Sequence, residues 1–204
     1  MTIRLPLERS AAPISLDAAL KQRESKRDYL DTSLSLDDLS HLLLAAQGKR
    51  DSSGKRHAPS AQEQYPLTNT VVAAKVDGIP TGVYQYNNTG HTMVPLKTGQ
   101  FVDALERTAI GEQPWIGRAA AVIVLSAYVR SMNAHFADQP PLNARGERNC
   151  YIEIGAVSQN VQLVATGLDI GMVLVGGFHN DRVKTLLELP ENREPAALFC
   201  LGNV

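Results

Sequence analysis

The chain has 204 residues, of which 44% are apolar and 20% are charged, and its formal net charge is −1. This length and apolar content suit one domain with a sizeable core. A nearly neutral chain has no general attraction to nucleic acid or to anionic lipid. The sequence also lacks a membrane-length apolar run and a secretory signal. We therefore expect a cytoplasmic protein whose partners are small molecules, with no role at nucleic acid or at a membrane.

The first half of the chain predicts an irregular lead-in over residues 1–14, followed by a single domain over 15–204. A short helix is predicted over 15–24, because a serine N-cap precedes two leucines four residues apart. A second helix is predicted between the serine cap at Ser35 and Gly48, with an apolar stripe at helical spacing. The polar loop that follows, from Lys49 to Gln64, is long enough to suggest a function.

The rest of the chain mixes helices and strands without a regular βαβ alternation, which predicts an α+β fold around one sheet. The predicted strands cover 70–76, 82–86, 91–94, 119–127, 170–175 and 196–201, and the predicted helices cover 99–109, 147–168 and 180–188, the last with Asn180 as its cap. The very apolar segment 119–127 is expected to be a buried central strand.

The two cysteines, Cys150 and Cys200, are predicted to be buried free thiols, since cysteine behaves as a small hydrophobic residue. Neither lies in a CxxC motif, and the five histidines are scattered, so no metal site is expected.

Three residues near the N-terminus, Arg23, Ser25 and Arg27, alternate with other residues. If the backbone there is extended, all three side chains point the same way. Arginine forks match phosphate oxygens in charge-assisted hydrogen bonds, and a serine hydroxyl adds a donor. A solvated, charge-mixed helix end is the alternative interpretation.

Two further segments have features of a binding site. Pro59, Ser60 and Ala61 would let a rigid backbone approach a flat ring while the serine hydroxyl bonds to it, although a proline-braced turn is the alternative. Gly176 and Gly177 follow a predicted strand, where glycines permit close approach and unusual dihedral angles. Their alternative is an ordinary strand-to-helix turn.

Common catalytic and nucleotide motifs are absent from the sequence. There is no GxGxxG after a strand, no GxxxxGK[ST], no GxSxG, and no serine, histidine and aspartate set that spacing would identify. No catalytic residue is therefore predicted, and an enzyme of this kind would obtain its chemistry from a bound cofactor.

Taken in order, these segments resemble the nitroreductase family of flavoproteins, and more narrowly its SagB-type branch of thiazoline/oxazoline oxidase-like proteins. The resemblance covers roughly residues 15–202. The matching segments are 23–27, 35–39 with 44–48, 56–61 with 65–67, 82–86, 113–115, 153–160 and 176–178.

The resemblance implies an FMN-binding, intertwined homodimer with a central, mostly antiparallel sheet flanked by helices. It implies that Arg23, Ser25 and Arg27 bind the FMN phosphate and ribityl chain or the N1/O2 edge of the ring. Pro59, Ser60 and Ala61 would pack on the isoalloxazine of the other subunit. Gly176 and Gly177 would place a backbone N–H near N5 and O4, and Gln113 would lie near the pyrimidine side.

The sequence departs from the family pattern at three places. It lacks a basic residue after the last strand, so the N-terminal arginines or another cation, such as Lys184, would complete the phosphate site. Gln62 replaces a glycine and would narrow the substrate pocket or reach O4. Trp115 stands where some relatives have lysine, which leaves stabilisation of the reduced flavin to Arg27.

The implied activity is a ping-pong reaction in which NADH or NADPH reduces the flavin, which then reduces a nitroaromatic, a quinone or a similar electron-poor acceptor. Two alternatives stay open at this point. One is SagB-type oxidation of an azoline ring, and the other is a non-catalytic flavin-binding or storage protein.

Overall fold

The protein forms a seven-stranded sheet in a computed structural model that describes residues 2–7, 14–50 and 52–204. All strand pairings are antiparallel, and the strand order is β1-β4-β3-β2-β5-β7-β6. The strands are β1 Ile3–Arg4, β2 Leu67–Ala73, β3 Gly82–Asn87, β4 Thr92–Thr98, β5 Ala121–Ala127, β6 Ile170–Val175 and β7 Glu194–Asn203. The α+β prediction with an antiparallel central sheet is thus confirmed.

Helices cover both faces of this open sheet, and one 3₁₀ turn lies at Ala61–Glu63. The helices are α1 Leu16–Gln22, α2 Leu36–Gln47, α3 Val102–Glu106, α4 Trp115–Arg118, α5 Val129–His135, α6 Arg145–Gly167 and α7 Asn180–Leu187. In the described part of the chain, no helix has both the length and the apolarity that crossing a membrane requires.

Strand β5 separates two cores, which explains why it is buried throughout, as predicted. Ile123 and Leu125 belong to the first core, which is shared with α2 and α6, whereas Val122 and Val124 belong to the second core, which is shared with α3, α4 and α7. Successive side chains of a strand point to opposite faces, so one apolar run serves both cores.

Several predicted boundaries differ from the structure. The strand predicted over 70–76 occupies Leu67–Ala73, because the N–H groups of Ala74 and Lys75 both donate to the Ala120 carbonyl and end the regular ladder. Asn180 does not cap α7: the N-cap is His179, without a side-chain hydrogen bond. Helices α4 and α5 were not predicted.

The lead-in was predicted to be irregular, and this is wrong for Ile3 and Arg4, which pair with Met93 and Thr92 of β4. The prediction for 8–13 lies outside the described residues. Both cysteines are buried free thiols, as predicted, and burial raises the pKa of Cys150 to about 11.

Candidate functional site

The segment 23–30, here called the arginine segment, crosses from the end of α1 to the edge of the sheet. The Lys26 N–H donates to the Met172 carbonyl at 3.0 Å, and the Leu30 N–H donates to the Asn203 carbonyl at 2.9 Å. From α6, the Gln162 side-chain amide donates to the Glu24 carbonyl at 3.0 Å. Strands β6 and β7 and helix α6 therefore fix the backbone that presents the arginines.

Tyr29 anchors the arginine segment to the sheet. Its hydroxyl lies 3.1 Å from the carbonyl oxygens of both Lys26 and Cys200, and burial raises the pKa of Tyr29, so the phenol stays protonated as a donor. Its ring packs directly on the backbone of Gly202, where a Cβ atom would lie 2.7 Å from the nearest ring carbon.

We predict that Gly202→Ala displaces Tyr29 and with it the arginine segment. A Cβ atom that close to both the ring and the Cβ of Tyr29 forces a backbone shift, because neither atom is the end of a flexible chain. Hydrogen exchange should become faster at the amides of Lys26 and Leu30 while protection in β5 persists. Unchanged exchange at Lys26 and Leu30 would contradict the prediction.

A cavity of about 460 Å³ lies against the arginine segment and is lined by residues 25–30 together with Val204. Arg27 and Ser25 are exposed there, whereas Arg23 is half-buried and its N–H closes the end of α1 on the Ala19 carbonyl. Among the described residues, no carboxylate lies within ion-pair distance of Arg23 or Arg27. Both guanidinium groups are thus available to an anion.

The segment 113–115 joins Arg27 to the turn at Gly176 and Gly177, here called the glycine turn, because it contacts both. The Arg27 guanidinium carbon lies 5.3 Å from the centre of the Trp115 ring. Two residues earlier, the Gln113 side-chain amide donates to the Gly177 carbonyl at 2.7 Å, and the Ile110 N–H donates to the same oxygen at 2.9 Å. Three segments that are distant in sequence therefore meet at one edge of the second core.

The glycine turn leaves room at its outer side. Neither Gly176 nor Gly177 has a positive φ, so neither uses the left-handed backbone conformation that glycine permits. A Cβ atom on Gly176 would have no neighbour within 4 Å, and one on Gly177 would lie 3.3 Å from the Gln113 amide nitrogen. Within the described residues, no turn hydrogen bond uses either glycine N–H. The turn therefore suits close approach by a ligand.

The loop 56–65 lies in a different part of the molecule from the arginine segment. It packs near α5 and the first half of α6, where the Gln62 side-chain oxygen lies 2.7 Å from His135 Nε2. Glu153 of α6 faces this loop, and Gln162 contacts the arginine segment nine residues later, which is about 13 Å along the helix. Within one chain, Pro59, Ser60, Ala61 and Gln62 are therefore not brought together with Arg23, Ser25 and Arg27.

The loop is held in a strained conformation. The φ angles of Gln62, Glu63 and Tyr65 are positive, at 50°, 57° and 47°, and residues other than glycine rarely adopt such values. Ser60 stabilises this shape, because its hydroxyl oxygen accepts the Tyr65 N–H at 2.8 Å. Pro59 is exposed, so the loop presents its rigid proline outward.

A buried polar cluster lies beneath the loop and was not identified from the sequence. The Arg56 guanidinium donates to the Gln47 side-chain oxygen and, at 3.3 Å, to the Leu67 carbonyl, and it stacks 4.6 Å from the Tyr65 ring centre. Glu153 is only 2% exposed. The sequence did contain one signal for this cluster, because Glu153 stands among the apolar positions of α6.

Burial raises the pKa of Glu153, whose two side-chain oxygens have no hydrogen-bond partner among the described residues, while the nearby polar groups of Ser60 and Gln47 and the positive charge of Arg56 act in the opposite direction. The same burial lowers the pKa of Arg56. Desolvation thus outweighs pairing at both groups, and the cluster is costly to keep charged.

Lys184 does not reach the cavity beside the arginine segment. Its ammonium group donates to Glu194 at 2.8 Å and to the Glu191 carbonyl at 2.9 Å, at the start of β7. The cavity lies beside Val204, just past the other end of β7, which is about 30 Å along this strand from Glu194. A nearer cation is Arg118, which lies 3.6 Å from Asp28.

Comparison with known proteins agrees with this arrangement. A model of the nitroreductase family matches residues 20–203. A candidate nitroreductase of Methanocaldococcus jannaschii is 34% identical over 191 residues, which are 94% of this chain and 91% of that protein. The trifolitoxin operon protein TfxC of Rhizobium leguminosarum bv. trifolii is 24% identical over 92% of this chain, which spans 55% of that protein.

Among solved structures, a candidate nitroreductase from Ralstonia eutropha JMP134 has a TM-score of 0.82 and 25% identity, and the match covers 100% of this chain and 89% of that one. The family match extends over nearly all of the described domain, including both cores and the glycine turn. The chain therefore belongs to the nitroreductase family, whose members are generally flavin-dependent oxidoreductases.

Proposed function

We propose that the protein is an FMN-dependent oxidoreductase that takes hydride from NADH or NADPH and reduces nitroaromatics, quinones or similar electron-poor acceptors. The observation that supports this most is the series of contacts from Arg27 through Trp115 and Gln113 to Gly177. It links an anion-binding segment to a backbone turn with open space, as a long cofactor with a charged tail requires.

The residues present fit FMN. Arg23 supplies a guanidinium group without a carboxylate partner in the described chain and Ser25 supplies a hydroxyl, which suit the phosphate and ribityl chain, whereas Arg27, which lines the cavity of about 460 Å³ and also lacks such a partner, would face the N1/O2 edge of the ring. Gly176 has no atom within 4 Å of a would-be Cβ, so a flat ring has room to approach the backbone on that side. The Gln113 side-chain amide contacts this turn by donating to the Gly177 carbonyl. When bound, FMN supplies the hydride transfer chemistry.

The protein's own residues then position reactants and stabilise charge, and none needs to act as an acid or base. The free Gly176 and Gly177 N–H groups would orient the reactive edge of the ring, and the guanidinium of Arg27 would stabilise negative charge. Positioning of this kind contributes about 7–11 kcal/mol in favourable systems.

We propose an intertwined homodimer, because Pro59, Ser60 and Ala61 lie too far along α6 to serve the site of their own chain. The exposed face of α6 includes Tyr151 and Ile152, which are 57% and 65% exposed. Beside it lies a largely apolar cavity of about 490 Å³ whose lining includes Leu163 and Val164 of α6. A second copy on this face would bring the Pro59 loop, with Gln62, to the flavin of the other subunit in a cytoplasmic enzyme.

A second candidate function is SagB-type azoline dehydrogenation, which removes hydride from a ring in a peptide. The sequence similarity to the trifolitoxin operon protein favours it. This chain spans about half of that relative and is 24% identical to it, whereas the 34% identical relative that it matches over 91% of its length is a candidate nitroreductase. We therefore favour reduction of small molecules.

The test is the visible spectrum of the purified protein after incubation with FMN and gel filtration. A yellow protein that releases FMN on denaturation supports the proposal, and a colourless one refutes it. Anaerobic bleaching by NADH or NADPH, followed by reoxidation with a quinone or nitroaromatic, supports the reductase. Retained flavin without bleaching indicates a flavin carrier, and bleaching only by an azoline peptide indicates the second candidate.

A further inference from the structure

The single tryptophan of the chain lies at the junction of the candidate site. Trp115 begins α4, and its half-buried ring packs against the second core. Its indole N–H is buried and has no hydrogen-bond partner among the described residues. Packing, rather than a polar contact, therefore fixes the plane of this ring.

That ring is the main contact of the Arg27 guanidinium. The only hydrogen bond of this guanidinium in the described chain is a long one, 3.5 Å to the Ser25 carbonyl, and no described carboxylate pairs with Arg27. Arg118, one turn further along α4, differs because it pairs with Asp28 at 3.6 Å. An arginine stacked on an aromatic face keeps its edge N–H groups free for a ligand.

We propose that Trp115 is a positioning residue that holds Arg27 against the bound flavin and thereby raises its reduction potential. This inference rests on the proposed function. Reduction by a nicotinamide cofactor transfers a hydride, that is two electrons and one proton, so the bound group becomes one charge more negative. A fixed positive charge beside it favours the reduced form over the oxidised form. Without the ring, the guanidinium would turn into solvent, where its effect is screened.

The stack itself is tested in the protein without flavin. Because Trp115 is the only tryptophan, its fluorescence reports directly on Arg27. We expect Arg27→Gln to change the emission of the apoprotein, and the matched variant Arg118→Gln to leave it unchanged. Identical emission from Arg27→Gln and the unmodified protein would overturn the inference.

The effect on flavin is tested by measuring the dissociation constants of oxidised and reduced FMN and the reduction potential. In Trp115→Leu we expect about a tenfold loss of the preference for reduced over oxidised FMN, which is about 30 mV for a two-electron couple. Trp115→Phe should retain most of the preference. Arg27→Gln should show the same loss, and adding Trp115→Leu to it should cause no further loss.

The inference would be overturned if Trp115→Leu and Arg27→Gln weakened the binding of oxidised and reduced FMN by the same factor, because that result would show a merely structural role. If Trp115→Leu does not fold, Trp115→Phe and Arg27→Gln still decide. Failure of the unmodified protein to bind FMN refutes the proposed function, whereas FMN binding with an unchanged potential in these variants refutes only the role of Trp115.

Discussion

Replacing Arg23 with alanine is expected to weaken FMN binding by about 10- to 100-fold, the usual cost of losing a hydrogen bond to a charged group. The side chain is half-buried at the end of α1 and pairs with no described carboxylate, so a bound phosphate would be its main partner. The backbone N–H that closes α1 on Ala19 stays in place in the variant. Helix α1 should therefore persist.

The measurement is a titration of the apoprotein with FMN, beside thermal unfolding of the same samples. Lys21→Ala is the matched control, because Lys21 is a nearby cation of the same helix that already pairs with Asp17 at 2.8 Å. It should bind FMN like the unmodified protein. If Arg23→Ala retains full affinity, or if Lys21→Ala loses as much, the assignment of the phosphate site is wrong.

The long, strongly patterned elements of this fold could be predicted from sequence. Helix α2 begins after its Ser35 cap, whose hydroxyl accepts the Asp38 N–H at 3.0 Å, and ends at Gly48 as expected. Strand β5 could be predicted as buried because all of its residues except Ser126 are apolar. The start of strand β2 was missed because Thr68 and Asn69 give it a polar beginning that only its pairing with β5 explains.

The candidate site was predicted as a set of segments, but its internal contacts were not. Alternation indicated Arg27, and paired glycines indicated Gly177, yet nothing in the sequence spacing brings Trp115 between them. Such contacts depend on how the loop before β5 packs on the turn after β6, which is a tertiary property. The cluster around Arg56 was missed for the same reason, since its members come from α2, a loop and α6.

That cluster leads to the second large expected effect. Arg56→Ala should lower the free energy of unfolding by roughly 3 kcal/mol near neutral pH, because it removes the donor from two buried oxygens and the positive charge that faces buried Glu153. Loop 56–65 should also lose its shape, since the Tyr65 ring stacks on this guanidinium.

The loss should depend on pH in a defined direction. The pKa of Glu153 is raised by burial, so the folded protein binds this proton more tightly than the unfolded chain. The cost of ionising Glu153 is therefore absent below its ordinary pKa, about pH 4, and grows as pH rises through the folded-state value. Without Arg56 this cost is larger, so Arg56→Ala should lose more stability near pH 8 than near pH 4.

Urea unfolding of four proteins tests this prediction: the unmodified chain, Arg56→Ala, Glu153→Gln, and the double variant. Glu153→Gln removes the buried charge and should restore much of the stability of Arg56→Ala near pH 8 but little near pH 4. Lys55→Ala serves as the control, because Lys55 is the cation directly before this loop and its pair with Glu63 is exposed. The prediction is contradicted if Arg56→Ala loses the same stability at both pH values and Glu153→Gln restores none of it. In that case the charge of Arg56 does not act on Glu153. The guanidinium would then stabilise the loop only through packing and its two hydrogen bonds.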